Sequence, residues 1–236
     1  MNYRNHWEAF YRQTYLTGEA KALWDVPPEQ AVERDLPLFR DHFEKGIPVL
    51  DLGCGTGGQS LALARQFPRV IGVDVSEKAL SLASSRTSGE HPAFFLLDIT
   101  DRAGCRRLSE EWGDVNIYLR GVLHQFGAAH LSLAIGHLSL LMGRTGAVFL
   151  VEVADGIRDY FGTQVPDFHR LPPPVQRVFV SHLPPKGLSL DKFSRLFPSG
   201  KFRLLRSGTT GLATNLRFAD GSPVEIPAVF AVLRNG

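Results

Sequence analysis

Gly53, Gly55 and Gly58 fall inside the run VLDLGCGTGGQSLALA, Val49 to Ala64, with Asp51 just ahead of them and Asp74 and Asp98 further on. Glycines let a ligand approach the backbone closely, because no Cβ stands in the way. Carboxylates at the ends of the following apolar runs can accept hydrogen bonds from hydroxyls or amines. The run reads as strand, turn and helix, and its glycines satisfy G-x-G-x-x-G, the pattern that seats a dinucleotide pyrophosphate at a helix amino terminus. Asp74 suits a ribose 2′- and 3′-hydroxyl pair under that reading and under any other adenosine-bearing ligand.

Three features argue against a pyrophosphate. Asp51 would face it with like charge, whereas a cationic ligand turns that penalty into attraction. Asp98 ends the third apolar run, where a carboxylate can accept from an adenine amino group. After a fifth strand the chain turns to an antiparallel pair, not to a second mononucleotide-binding half. A ligand that is cationic, adenosine-bearing and free of phosphate is S-adenosylmethionine. The blander readings are a tight turn served by Gly53 and Gly55, solvated strand ends at Asp74 and Asp98, and core packing for Trp24. Cys54 reads as a small filler of the turn.

The elements that position these residues follow from periodicity. Tyr3, Trp7, Phe10, Tyr11 and Tyr15 recur at helical spacing until Gly18 interrupts. Val32, Leu36, Phe39 and Phe43 form a second helical pattern, with Pro28 suited to its first turn, Gly46 to its end, and Pro37 expected to kink or break it. Then PVLDLG, RVIGVDV, AFFLLDI, DVNIYLRG and GAVFLVEVA read as strands. GQSLALARQF, SEKALSLASSR (capped by Ser76), DRAGCRRLSEEW and AHLSLAIGHLSLLM read as the helices between them. Such alternation predicts a doubly wound α/β fold with a parallel sheet and helices on both faces. KFRLLRSGTTGL and VEIPAVFAVLR flank Asp220-Gly221, a hairpin signal, so an antiparallel pair is expected at the sheet edge. The proline-rich stretch between Asp155 and Leu190 is long for a connection and reads as a cap or partly helical insertion. The organisation is therefore a helical lid over 1–45 and a ligand-binding domain over 46–236, with the insertion at about 155–190.

The 236 residues carry a formal net charge of +2, with 44% hydrophobic and 21% charged residues. The isoelectric point near 8.6 is mildly basic, and with no Lys/Arg run or basic tail there is no case for nucleic acid as partner. Cys54 and Cys105 lack metal-ligand spacing, and free thiols fit a cytoplasmic protein. The amino terminus MNYRNHWEAF has no apolar signal-type core, and no run approaches membrane-spanning length, so no membrane partner is expected. No internal repeat is evident.

VLDLGCGTGGQSLALA, VIGVDVSEKAL, AFFLLDIT and DVNIYLRGVLHQF resemble, in order and interval, the successive motifs of the class I S-adenosylmethionine-dependent methyltransferases. The resemblance runs from about Ile47 to Ala154, under half the chain. It implies a seven-stranded, mostly parallel sheet with one antiparallel strand near its edge. It further implies that Asp51, Gly53 and Gly55 line the methionine and ribose end, and that Asp74 holds the ribose hydroxyls. Val75 would lie on the adenine face, Asp98 and Ile99 would bound the adenine, and Arg120 would end the fourth strand beside the cofactor. LWD at Leu23 to Asp25 is similar to lids of small-molecule members, which puts Trp24 at the cofactor and Tyr15 toward the acceptor.

Methyl transfer from a sulfonium is a direct displacement, so alignment and exclusion of water dominate. A general base helps when the acceptor is a hydroxyl or a protonated amine. His124, four residues past Arg120, is the candidate base, although a histidine in LHQF also serves this family as a packing or hydrogen-bonding residue near the cofactor. His169 and Arg170, with Arg177 and His182, could orient an acidic acceptor through charge-assisted bonds. DVNIYLRG lacks the Asn/Asp-Pro-Pro-aromatic turn of members that methylate exocyclic amines of bases. Glu152 and Asp155 supply an incomplete version of the carboxylate cluster that metal-dependent catechol methylation needs. The expected activity is metal-independent O- or N-methylation of a small molecule, by family analogy a specialised metabolite. A nicotinamide-dependent oxidoreductase and an S-adenosylmethionine-binding protein without methyl transfer are the competing readings.

Overall fold

The computed structural model describes residues 3–16, 21–89, 91–157, 172–181, 183, 187–217 and 221–236. Its strands are β1 (Val49–Leu52), β2 (Val70–Asp74), β3 (Ala93–Leu96), β4 (Asn116–Arg120), β5 (Ala147–Val153), β6 (Phe202–Arg217) and β7 (Pro223–Asn235). The helices are α1 (Tyr3–Thr14), α2 (Val32–Phe39), α3 (Gly58–Ala64), α4 (Glu77–Ser84), α5 (Arg102–Trp112), α6 (Ala128–Met142), α7 (Pro173–Val180) and α8 (Leu190–Leu196). Among the described residues, no helix is long and apolar enough to cross a membrane.

The strands form one sheet in the order β3-β2-β1-β4-β5-β7-β6. β1, β2, β3, β4 and β5 pair in parallel, while β7 runs antiparallel to both β5 and β6. This is the seven-stranded, mostly parallel sheet that the resemblance implies, with the five parallel strands expected from the alternation and the antiparallel pair expected at the edge. β1, β2 and β5 are buried along their whole length, as near-continuous apolar runs between two helical layers should be. Residues alternate faces. Leu50, Ile71, Ile117 and Val148 pack with α5, α6 and α8 on one side, and Val49, Val70, Tyr118 and Phe149 pack with α2 and α3 on the other. The chain winds from β1 outward to β3, then restarts on the opposite side of β1 with β4. That reversal opens a crevice at the carboxyl ends of β1 and β4, the usual ligand position in such sheets.

Pro37 does not break its helix. α2 runs through it to Phe39 and then tightens into a 3-10 turn at Arg40–His42. The missing N–H would have bonded the carbonyl of Glu33, and both residues are exposed, so water can serve the freed oxygen. The discontinuity lies earlier, at Ala31 (φ −131°, ψ −100°), which separates α2 from a 3-10 turn at Pro28–Gln30. The expected cap of α4 is present, with Ser76 Oγ accepting from the Ala79 N–H at 3.1 Å. The β6–β7 pairing matches the expected hairpin; Asp220 itself lies outside the described residues, as does half of 155–190.

Candidate active site

The glycine turn is fastened to its neighbours by backbone. The N–H groups of Gly53 and Cys54 donate to the Val73 carbonyl at 2.8 and 3.0 Å. Gly53 and Gly55 have φ of +76° and +54°, a region costly for residues with a Cβ. Space imposes the same choice. A Cβ on Gly53 would lie 2.5 Å from Val122 Cγ2, and one on Gly55 would lie 2.7 Å from the Tyr11 hydroxyl.

Two buried carboxylates flank this turn. Asp74 Oδ2 accepts from the Gly55 N–H at 2.9 Å and its Oδ1 from the Ser76 N–H at 2.9 Å. Burial nevertheless raises its pKa to about 6, against the lowering effect of those N–H groups. Asp51 accepts from Ser60 Oγ at 2.5 Å. Burial, reinforced by the like charge of Asp74, raises the Asp51 pKa to about 7, with Ser60 opposing. Among the described residues, neither carboxylate forms an ion pair.

Asp98 faces the α1 side of the crevice. Its Oδ1 accepts from the Thr100 N–H at 2.8 Å, from Thr100 Oγ1 at 2.7 Å and from the Tyr3 hydroxyl. The next wall residue, Ile99, has its carbonyl fixed by His137 Nδ1 at 2.6 Å. Helix α1 lies across this end. Glu8 accepts from Ser76 Oγ at 2.7 Å and from the Lys78 N–H at 3.1 Å, while Trp24 stacks on Phe10 and meets Trp7 edge-on.

At the other end stand Arg120, His124 and Glu152. Glu152 is fully buried at the end of β5. Its Oε1 accepts from the N–H groups of Val122 and Leu123 at 3.0 and 2.7 Å, and its Oε2 from the His124 N–H at 3.2 Å. The same Oε2 lies 2.6 Å from His124 Nδ1. Because Glu152 accepts, Nδ1 carries the proton and Nε2 keeps its lone pair, which faces the Gln125 amide nitrogen at 2.7 Å. Arg120 donates from Nη2 to the Ala213 carbonyl at 3.5 Å, and its Nε stands 3.9 Å from Asp35 Oδ2.

These groups border two adjoining clefts. The larger in total empty space, about 1240 Å³ against 950 Å³ with the parts open to solvent counted, runs from Asp74, Val75 and Ile99 to His124, Val153 and the β6–β7 residues Leu212 and Ile226. The smaller lies over the glycine turn and takes in Asp51, Gly55, Thr56, Gln59 and Arg86. Trp24, Gly53 and Arg120 belong to both. Trp24, Asp51, Gly53, Gly55, Asp74, Val75, Ile99, Arg120 and His124 are thus brought together around one crevice. The side chain of Asp98 supports its rim.

Tyr15 borders neither cleft. Its hydroxyl donates to Asp25 and accepts from the Ala22 N–H at 3.1 Å, so it fastens the LWD segment. Arg177 on α7 is likewise outside the lining, and His169, Arg170 and His182 lie outside the described residues. The oxygens of Glu152 are engaged by four protein donors. Its role, and those of Tyr3, Trp7, Tyr11 and Gln125 in the lining, escaped sequence reasoning. The available signals were an acid at a buried strand end and an aromatic stripe on the first helix.

A sheet of this order, with a glycine turn after β1 and buried acids around it, defines the class I Rossmann-like nucleoside-binding architecture. Residues 49–139 match the family model described as a methyltransferase domain. The crystal structure of an S-adenosylmethionine-dependent methyltransferase from Anabaena variabilis ATCC 29413 is 30% identical, with a TM-score of 0.94 over 100% of this chain and 96% of that one. Magnesium protoporphyrin IX methyltransferase from Synechocystis PCC 6803, solved with bound S-adenosylhomocysteine, is 20% identical over 98% of this chain and 97% of its own, with a TM-score of 0.62; that likeness is one of fold. YqeM of Bacillus subtilis (strain 168) is 43% identical over 65 residues, 28% of this chain and 24% of that protein. The matches to curated relatives span between 24% and 49% of those proteins. The chain belongs to the S-adenosylmethionine-dependent methyltransferases.

The residues present fit that family's cofactor. Two buried carboxylates without basic partners favour a sulfonium and an ammonium over a diphosphate, and Val75, Leu97 and Ile99 offer an apolar slot for a purine. The dinucleotide reading of the glycine spacing is therefore not favoured.

Proposed function

We propose that the protein methylates an oxygen or nitrogen atom of a small molecule, with His124 as general base and without a metal ion. When bound, S-adenosylmethionine supplies an electrophilic methyl group. Asp51, Gly53 and Gly55 would hold its methionine end, Asp74 its ribose hydroxyls, and Val75 and Ile99 the adenine, with Trp24 beside them and Asp98 fastening the rim; Arg120 stands at the junction of the two clefts. The carboxylate oxygens of Asp74 retain lone pairs beyond the two N–H bonds they already accept.

The observation that supports this reading best is the continuity of the larger cleft from Asp74 to His124, whose Nδ1 is held by Glu152 and whose Nε2 meets the amide of Gln125, another lining residue. An acceptor hydroxyl or amine takes the place of the Gln125 amide at Nε2 and gives up its proton there. The apolar walls exclude water from the displacement. A cleft of this kind suits a compact acceptor, and the absence of a basic run in the sequence argues against nucleic acid.

The test has two parts. S-adenosylhomocysteine should raise the melting temperature and NAD should not. With labelled methyl donor and a metabolite extract, His124→Ala should lower the transfer rate by roughly 10²–10⁴. Near-normal turnover at saturating acceptor would remove the base role, and binding without transfer to any acceptor would favour a non-catalytic binding protein.

A further inference from the structure

Arg120 is a buried cation with few partners. Its side chain is 10% exposed, and a guanidinium carries five N–H donors. One is engaged, at the limit of hydrogen-bond distance, by the Ala213 carbonyl. Nε is buried without a hydrogen-bond partner. The Asp35 carboxylate stands 3.9 Å away and accepts a closer bond from the Tyr118 hydroxyl at 2.8 Å. Burial pushes the Asp35 carboxyl up despite the opposing pull of Arg120 and Tyr118. A buried charge is normally retained with its hydrogen bonds satisfied; this one keeps donors in reserve at the junction of the two clefts.

The chamber beside it is apolar, walled by Leu23, Val153, Ile157, Val175, Leu212 and Ile226. The acid in the lining of that larger cleft is Asp74, at the adenosine end. The cleft over the glycine turn has cations of its own, Lys21 and Arg86, to meet the carboxylate of a methionine tail. The unused donors of Arg120 are therefore available to the acceptor.

We propose that Arg120 anchors a carboxylate on the methyl acceptor, which makes the acceptor a lipophilic acid seated with its apolar body in the Leu23–Ile226 chamber. This rests on the reading of the larger cleft as a methyltransferase acceptor site. The planar fork of the guanidinium takes a carboxylate through two parallel N–H bonds, fixing the orientation in which the nucleophile meets His124. Arg120 thereby takes the role that sequence reasoning gave to the basic residues of the insertion.

A carboxylate at Arg120 can come from the acceptor or from the methionine tail, and calorimetry on the full chain separates the two. Wild type, Arg120→Gln and Arg120→Lys are titrated with S-adenosylhomocysteine, with the carboxylate-free 5′-methylthioadenosine, and with dodecanoate and 2-naphthoate against their primary amides. The acids should bind wild type at least about tenfold more tightly than the amides, about 1.4 kcal/mol. Arg120→Gln should abolish that preference while S-adenosylhomocysteine affinity stays within about threefold. Arg120→Lys should keep part of the preference, as a charge without the planar fork, and carries the test if the glutamine variant does not fold. Equal binding of acids and amides by wild type overturns the proposal. So does a tenfold loss of S-adenosylhomocysteine affinity in Arg120→Gln with 5′-methylthioadenosine unaffected, which assigns Arg120 to the methionine tail. If wild type fails to bind S-adenosylhomocysteine, the methyltransferase reading falls by itself, and the acid-to-amide comparison still decides the role of Arg120.

Discussion

Glu152 and Asp51 are both buried acids on parallel strands at the same end of the sheet, at 0% and 3% exposure. Their surroundings are opposite. Glu152 accepts from three backbone N–H groups and an imidazole; Asp51 accepts from one serine hydroxyl. A saturated carboxylate belongs to the scaffold, because its hydrogen bonds return much of what its burial costs. An undersaturated one is kept for something that arrives later. The contrast separates the part of the crevice that shapes the turn around His124 from the part proposed to receive a cation.

Substitution at each site should therefore move stability in opposite directions. Glu152→Ala strands three N–H groups, two of them buried and each of those worth roughly 1–3 kcal/mol. We expect the melting temperature to drop by about 10 °C or more, with Glu152→Gln recovering part of it through its remaining carbonyl oxygen. An unchanged melting temperature in Glu152→Ala would erase the distinction. Asp51→Asn removes a poorly compensated charge, so the ligand-free protein should melt about 2–4 °C higher at pH 8. The same change should weaken S-adenosylmethionine binding on the order of tenfold or more by calorimetry.

The pH dependence sharpens the contrast further. The pKa values of Asp51 and Asp74 stand at about 7 and about 6 in the fold, above the 3.8 of an unburied carboxyl. Between roughly pH 4 and 7 the folded protein thus binds more protons than the unfolded chain, and stability falls as pH rises through that window. Urea unfolding of the ligand-free protein from pH 4.5 to 7.5 should show that decline, and Asp51→Asn should flatten it. Saturating S-adenosylmethionine should flatten it too, since its positive charge favours the ionised acids. The smallest effect is expected at Tyr15→Phe. It loses the bonds to Asp25 and from the Ala22 N–H, about 1 kcal/mol each, and should leave S-adenosylhomocysteine affinity within about twofold, because Tyr15 borders neither cleft.

The cofactor end was legible in the sequence because its parts are contiguous. Asp51, the glycines and Asp74 lie within one strand–turn–helix–strand unit, and each strand end announces itself by an apolar run closing on an acid. The proposed acceptor end is assembled from residues far apart in the chain, so no local pattern marks it. Leu23, Arg120, His124, Val153, Leu212 and Ile226 come together only through the sheet order and the long β6–β7 hairpin. Arg120 was visible as a strand end, yet its lack of partners depends on Asp35 and Ala213, which no spacing connects to it. Pro37 leaves its helix unbroken for a related reason: Glu33, whose carbonyl lacks the usual N–H partner, is exposed, so water can serve it. Tyr15 followed the aromatic stripe of α1 and was read toward the acceptor, but the turn after that helix aims it at Asp25.

Helix α1 clasps the crevice at three points, through Tyr3 on Asp98, Glu8 on Ser76 and the Lys78 N–H, and Tyr11 over Gly55. If the cofactor lies beneath it as proposed, its departure would require those holds to loosen, and the dwell time of the loaded state would then depend on a segment outside the sheet.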